Sequence, residues 1–277
     1  MPRLGLALGG GGARGLSHIP VLELLDELRL RPSIIAGTSM GALIGALYAS
    51  GVPGRRIREM VEEHLFSHAR GKRARFKEGT ERLKWIGPLV PDLRHGGMIK
   101  PDRFLRQLFG GITSSRFEDL EIPLVVVAAD FWSGEEVILR EGPLLPAIRA
   151  SIALPGVFPP HLLRGRVLVD GGLVDVLPYD CLAGSCDVTV AVDVGREMQP
   201  GRMDLPNVLE SILGAFDVMQ SAALERRLAT RPPDILVSVR MSGIRILDFG
   251  KAEMVFLRAR PAVEELRRRL AAMGLAG

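Results

Sequence analysis

Residues 34–43 join a short apolar strand to a helix through a sharp turn, and a serine lies at the apex of that turn. Gly37 and Gly41 flank Ser39 in the pattern Gly-x-Ser-x-Gly, which needs glycine on both sides because a tight strand-to-helix reversal leaves no space for a Cβ atom. The pattern predicts a nucleophile elbow with Ser39 at a helix N-terminus, where unpaired N–H groups and the helix dipole favour an oxyanion. An ordinary surface turn can match so short a pattern by chance, and the other motifs of the chain decide between the two.

A glycine-rich loop, residues 9–15, follows the first apolar strand, Leu4–Leu8, and precedes a helix. Glycine N–H groups can point inward without interference from side chains, so such a loop can bind a phosphate or an oxyanion. A dinucleotide site needs an acidic residue about 20 positions on, where this chain has Ala-Gly-Thr at residues 36–38, and the Gly-Lys-Ser/Thr of a P-loop is absent. Nucleotide binding stays an alternative, but we favour oxyanion-hole donors for the serine.

The expected donors are the backbone N–H groups of Gly10, Gly11, Gly12 and Met40. Arg14 and Gly15 are expected to support the loop rather than to take part in chemistry.

A carboxylate follows another apolar strand, residues 167–169, and is itself followed by two glycines. This arrangement holds Asp170 near the carboxyl edge of the sheet, with the backbone freedom of Gly171 and Gly172 behind it. An isolated Asp-Gly-Gly sequence is more often an Asx turn, so Asp170 is a candidate catalytic residue only in combination with the other motifs.

The serine needs a proton acceptor, which in most serine hydrolases is a histidine held by a carboxylate. None of the five histidines lies after His161, whereas an α/β-hydrolase has its histidine near the C-terminus. Asp130 and His161 keep the chain order Ser, Asp, His, so a triad stays open. The alternative is a dyad in which Asp170 takes the proton directly from Ser39. Because a free aspartate has a pKa of about 3.9, that role needs apolar surroundings that raise its pKa. We expect the other histidines to be structural or exposed: His18, His64, His68 and His95.

A membrane span must be considered, because 47% of the residues are hydrophobic and residues 32–54 carry no charge. A span needs about 20 apolar residues, yet this stretch contains five glycines and two prolines, so we interpret it as the buried elbow and its helix. The apolar run Leu4–Leu8 is too short for a signal peptide, and we expect a cytoplasmic protein. Cys181 and Cys186 lack the partners of a zinc site or a disulfide framework, so no metal is expected.

The length of 277 residues suits one large α/β domain, with a helical and basic excursion over the active-site mouth at about 55–110. Within it, Arg70–Lys84 holds seven basic and two acidic residues, which suits peripheral contact with an anionic membrane as well as a solvated loop. No zinc-finger, helix-turn-helix or RNP-like pattern accompanies this charge, so nucleic acid is not an expected partner. Apolar stretches at 123–129 and 136–140 predict a hairpin and therefore a mixed sheet.

Three motifs occur in order at predicted strand ends: Gly-x-Gly-x-x-Gly at residues 10–15, Gly-x-Ser-x-Gly at 37–41 and Asp-Gly-Gly at 170–172. In this the chain resembles the bacterial patatin-like phospholipases, especially the short members similar to the catalytic domain of neuropathy target esterase. The resemblance implies a three-layer α/β/α fold with a mostly parallel, mixed sheet. It also implies a Ser39–Asp170 dyad and hydrolysis of acyl esters of phospholipids or lysophospholipids without calcium or another cofactor. If the basic segment binds a membrane, we expect that contact at the inner face. A catalytically idle lipid-binding or regulatory protein on the same fold is the alternative.

Overall fold

One eight-stranded sheet runs through the part of the chain that the computed structural model describes, which is residues 2–70, 105, 114–198, 203 and 205–275. The strands are β1 (Leu4–Leu8), β2 (Ile34–Thr38), β3 (Leu124–Asp130), β4 (Glu136–Leu139), β5 (His161–Leu163), β6 (Arg166–Asp170), β7 (Val188–Asp193) and β8 (Ile235–Ser238). The α-helices of these residues are α1 (His18–Glu27), α2 (Met40–Ala49), α3 (Gly54–Arg70), α4 (Leu144–Ser151), α5 (Val208–Thr230) and α6 (Ala252–Ala272).

The sheet is mixed and mostly parallel, which confirms the prediction. Its order is β5-β6-β3-β2-β1-β7-β8, with β4 paired to β3. Five neighbouring strands of this order run parallel to one another, namely β3, β2, β1, β7 and β8. In contrast, β4 and β6 are antiparallel to β3, and β5 is antiparallel to β6. The neighbours of β1 are β2 on one side and β7 on the other, so the connections diverge at its carboxyl end. Open α/β sheets bind their ligands at such a point, and the glycine-rich loop begins there.

Layers of helix cover both faces of the sheet. Leu6 and Leu8 of β1 belong to the larger apolar core, to which α1, α2, α3 and α6 contribute. Ala7, between them, belongs to a smaller core on the opposite face, with the 3₁₀ helix Tyr179–Leu182 and Leu224 of α5. Successive side chains of a strand point to opposite faces, and burial on both faces is typical of parallel strands. These residues therefore form the expected three-layer α/β/α arrangement.

The pairing along β3 brings the ends of β2 and β6 together. Val127 pairs with Thr38 of β2 on one side and with Ile138 of β4 on the other. The next residue, Ala128, pairs with Asp170 of β6 and again with β4. A strand residue has one neighbour on each side, so β2 and β6 lie along the same edge of β3 and meet end to end. The residue that follows Thr38 and the last residue of β6 are therefore close in space.

Most sequence predictions for the elements agree with the structure. The uncharged stretch 32–54 forms β2 and α2, and the hairpin of β3 and β4 is present. The sequence does not predict β5, because three residues directly after two prolines give no strand pattern. Among the described residues, no helix is both long enough and apolar enough to cross a membrane.

Of the predicted excursion at 55–110, the structure describes residues 55–70 and Leu105. Helix α3 buries Ile57 and Val61 in the larger core and contacts α1, so this part belongs to a helix layer. Apart from Arg70 at the end of α3, the basic stretch Arg70–Lys84 lies outside the described residues, and its contact with an anionic membrane stays a prediction. The side chains of His64 and His68, and the whole of His95, also lie outside them.

Candidate active site

The turn between β2 and α2 has the geometry of a nucleophile elbow. Ser39 adopts φ +54° and ψ −119°, a conformation that a non-glycine residue keeps only when its surroundings enforce it. A Cβ atom at Gly41 would lie 2.1 Å from the carbonyl oxygen of Leu8, and one at Gly37 would lie 2.6 Å from the nitrogen of Ala42. Close packing of the turn therefore requires both glycines.

The hydroxyl of Ser39 faces the third motif. Its Oγ donates a hydrogen bond to Oδ2 of Asp170 at 2.7 Å, although the two residues are 131 positions apart in the chain. The other carboxylate oxygen, Oδ1, accepts the N–H of Gly172 at 2.8 Å. The chain passes so close to β3 at Gly171 that a Cβ atom there would lie 2.3 Å from the carbonyl oxygen of Val127. The Asp-Gly-Gly sequence therefore fixes the carboxylate beside the serine.

The environment of Asp170 is that of a base stronger than a free aspartate. The residue is 4% exposed, and burial raises the pKa of its carboxyl group to about 6, against the opposing effect of the hydrogen bonds from Gly172 and Ser39. Near neutral pH the group is therefore still mostly a carboxylate, but its affinity for a proton is increased.

The structure contradicts one of the four expected oxyanion donors, the N–H group of Gly10. The N–H of Gly10 donates to the carbonyl oxygen of Val176 at 2.8 Å, so the fold itself uses it. The N–H groups of Gly11, Gly12 and Met40 have no acceptor among the described residues, and all three residues line the cleft in which Ser39 lies. The available donors are thus Gly11 and Gly12 of the glycine-rich loop and Met40, the first residue of α2.

The glycine loop is held in place by buried polar contacts and by close packing against the elbow. The guanidinium group of Arg14 is buried and pairs with Asp217 of α5, with 2.6 Å between Nη2 and Oδ1. A Cβ atom at Gly15 would lie 2.6 Å from Cγ of Met40, so this glycine lets the loop approach the elbow. His18 is also buried, and its Nε2 donates to the carbonyl oxygen of Gly9 at 2.8 Å. Burial lowers the pKa of His18 to about 4, so it is neutral and structural near neutral pH.

The walls of the cleft are apolar. Leu154, Val157 and Phe158, from the proline-bounded loop after α4, form one side. Ile246 and Leu247 form another part. Among the described residues that line the cleft there is no histidine, which argues against the triad alternative. An apolar cleft around an alcohol and a carboxylate can accommodate the acyl chain of an ester.

One group of side chains outside the cleft has the composition of a metal site. The candidate ligand atoms of Glu136, Asp175 and Cys181 lie within 4.8 Å of one another. However, Asp175 accepts a hydrogen bond from Nη1 of Arg227, and burial raises the pKa of the Cys181 thiol to about 12. Because metals bind the thiolate, and a cation already pairs with Asp175, the group is better explained as an ion-pair cluster.

The comparison with protein families agrees with this geometry. The family model described as patatin-like phospholipase matches residues 6–182, which include all three motifs. The chain belongs to this family. The fold predicted from the resemblance is thereby confirmed as that of patatin-like phospholipases.

Relatives in the family are longer proteins. An uncharacterised NTE family protein of Mycobacterium tuberculosis is 36% identical over 233 residues, which cover 80% of this chain and 60% of that protein. Lysophospholipase NTE1 of Kluyveromyces lactis is 28% identical over 279 residues, which cover 91% of this chain and 18% of that protein. Among solved structures, VipD of Legionella pneumophila is similar with a TM-score of 0.48 and 13% identity, over 95% of this chain and 67% of that one. The chain thus spans about 60% of the length of the first of these sequence relatives and 18% of the length of the second.

Some residues around the patatin-like site give no signal in the sequence. Asp217 and Gln220 lie on α5, far along the chain from the motifs, and Gln220 donates from Nε2 to the carbonyl oxygen of Gly172 at 2.9 Å. Ser151, at the end of α4, contacts the elbow through its hydroxyl. A helical pattern with ordinary polar residues could not reveal these contacts, because each depends on the packing of distant elements.

Proposed function

We propose that this protein is a serine acyl-ester hydrolase that acts on phospholipids or lysophospholipids through a Ser39–Asp170 dyad. The observation that carries the proposal is the hydrogen bond of 2.7 Å from the serine hydroxyl to the buried carboxylate. Membership of the patatin-like phospholipase family supports a lipid substrate, and so does the similarity to a relative named a lysophospholipase.

In this mechanism Asp170 takes the proton of Ser39 while Oγ attacks the carbonyl carbon of the acyl ester. The N–H groups of Gly11, Gly12 and Met40 stabilise the negative charge that develops on the carbonyl oxygen. Collapse of this intermediate breaks the ester bond, and the leaving alcohol takes the proton from Asp170. Asp170 then removes a proton from water, which attacks the acyl-enzyme. As the ester bond to Oγ breaks, Asp170 returns this proton to Oγ, which releases the fatty acid and restores the serine and the carboxylate.

Covalent labelling tests the nucleophile directly. A fluorophosphonate probe should form one adduct, which mass spectrometry locates at Ser39, and Ser39→Ala should abolish both labelling and hydrolysis of p-nitrophenyl acyl esters. Ser50→Ala is a matched control, because among the described residues the Ser50 hydroxyl bonds to the carbonyl oxygen of Ala46, at the end of its own helix. An adduct elsewhere, or turnover retained by Ser39→Ala, would rule out the mechanism. A lipid-binding protein without activity would bind vesicles but would not react with the probe.

The pH dependence of the rate tests the base. Asp170 accepts a proton only as the carboxylate, and its pKa is raised to about 6. We therefore expect kcat/KM to be constant above that pH and to fall about tenfold per pH unit below it. Initial rates with a p-nitrophenyl ester, measured at constant ionic strength, provide the profile. A rate that stays constant through the acid range is the result that excludes Asp170 as the base.

A further inference from the structure

The last turn of α4 contacts the nucleophile through one buried hydroxyl. Ser151 is fully buried, and its Oγ accepts the backbone N–H of Ser39 at 2.8 Å. The same hydroxyl donates to the carbonyl oxygen of Val127 at 2.6 Å. Ser151 therefore connects the backbone of the elbow to the central part of β3.

The residues that follow contact the other half of the dyad. The carbonyl oxygen of Ala153 accepts the backbone N–H of Asp170 at 3.0 Å. Ala153 is itself held by the helix end, since its N–H donates to the carbonyl oxygen of Ala150 at 3.2 Å. The segment 151–153 thus binds the main chain of the nucleophile and the main chain of the base within three consecutive residues.

These contacts hold the backbone at positions where a small displacement would change the reaction rate. The backbone of Ser39 has a positive φ, and such a conformation persists only when neighbouring groups over-determine it. Among the described residues, Ser151 provides the acceptor for the Ser39 N–H. Misplacing a reacting group by about 1 Å can lower a rate by about a hundredfold, so the orientation of this amide bears on the rate.

We propose that Ser151 is a positioning residue, whose hydroxyl holds the elbow so that the Ser39 hydroxyl stays aligned with the Asp170 carboxylate. The inference rests on the proposed function, because it concerns the alignment of the same dyad. Ser151 is buried and does not touch the substrate. It acts through the N–H of Ser39, while the Ala153 carbonyl fixes Asp170 from the same segment.

The test compares Ser151→Ala with the wild type in the full chain. Without the hydroxyl, we expect kcat and the rate constant of fluorophosphonate labelling to fall together by about 10- to 100-fold. KM and the final labelled fraction should not change, because the cleft walls and the folded population are the same. Ser50→Ala, which removes a hydroxyl at the far end of α2, should keep wild-type values throughout.

A purely structural role for Ser151 predicts a different result. The melting temperature and the labelled fraction would fall, but kcat per labelled site would stay at the wild-type value, and this outcome would overturn the proposal. If Ser151→Ala does not fold, Ser151→Cys keeps a similar side-chain volume with weaker hydrogen bonding, and the same parallel fall is expected. If instead Ser39→Ala retains turnover, the proposed function itself fails, whereas an inactive Ser39→Ala with an unaffected Ser151→Ala removes only this inference.

Discussion

Asp170→Asn is expected to lower kcat by about 10³- to 10⁴-fold and at the same time to make the protein more stable. The amide cannot take the proton of Ser39, so the nucleophile is no longer activated. Its oxygen can still accept the N–H of Gly172, as Oδ1 of the carboxylate does. Hydrolysis of a p-nitrophenyl ester and of a lysophospholipid measures the loss.

The gain in stability follows from the burial of the charge. Burial raises the pKa of Asp170 from 3.8 to about 6, so the folded protein holds this proton more tightly than the unfolded chain. The free energy of unfolding therefore decreases as the pH rises through that window, and near neutral pH the buried carboxylate costs roughly 1–3 kcal/mol. Asparagine avoids this cost, and urea denaturation near neutral pH should show the increase.

Ser39→Ala is the matched control for this experiment. It should also lose turnover, but it leaves the carboxylate buried and removes the hydrogen bond that Oδ2 accepts, so no gain in stability is expected. If Asp170→Asn loses activity together with stability, the loss reflects unfolding and the assigned role of the carboxylate is not supported.

Of the variants proposed, Asp217→Ala should lower the free energy of unfolding the most, by about 3–5 kcal/mol. The side chain of Arg14 is 2% exposed and that of Asp217 is 7% exposed, so the substitution leaves a buried guanidinium group without its carboxylate. Urea denaturation measures the change. Turnover should fall as well, because Arg14 belongs to the 3₁₀ helix Gly12–Ser17 that continues the glycine loop.

Two further variants separate this effect from a general response to lost ion pairs. Arg55→Ala breaks the exposed pair with Glu59 and should hardly change the stability, since exposed pairs contribute little. The double variant Arg14→Met/Asp217→Leu removes both charges and should be more stable than Asp217→Ala. If Asp217→Ala is as stable as the wild type, the buried pair does not hold the loop.

The parts of this site that the sequence predicts are those encoded by local patterns. Ser39 and Asp170 follow apolar strands and have glycines beside them, so strand ends and turns could be placed from short segments. The wrong prediction for Gly10 has a non-local cause. Its N–H is used by the carbonyl oxygen of Val176, and no local pattern shows which glycine of a run has such a partner.

The same limit applies to the residues around the dyad. The pair of Arg14 and Asp217 spans 203 positions of the chain, and the contact of Ser151 with Ser39 spans 112. A buried arginine and a serine at a helix end look like ordinary polar residues in the sequence. Their roles depend on how α4 and α5 pack onto the sheet, which apolar periodicity does not encode.

The end-to-end arrangement of β2 and β6 along β3 has a consequence for how such a chain can change. Insertions or deletions in the segments between residues 39 and 170, other than β3 and residues 151–153, leave Ser39 and Asp170 in place as long as both strands keep their pairing with Val127 and Ala128. A slip of a single residue in β6 would turn the Asp170 side chain to the other face of the sheet. Length variation in the intervening segments is therefore compatible with an intact site, whereas one residue gained or lost inside β6 is not.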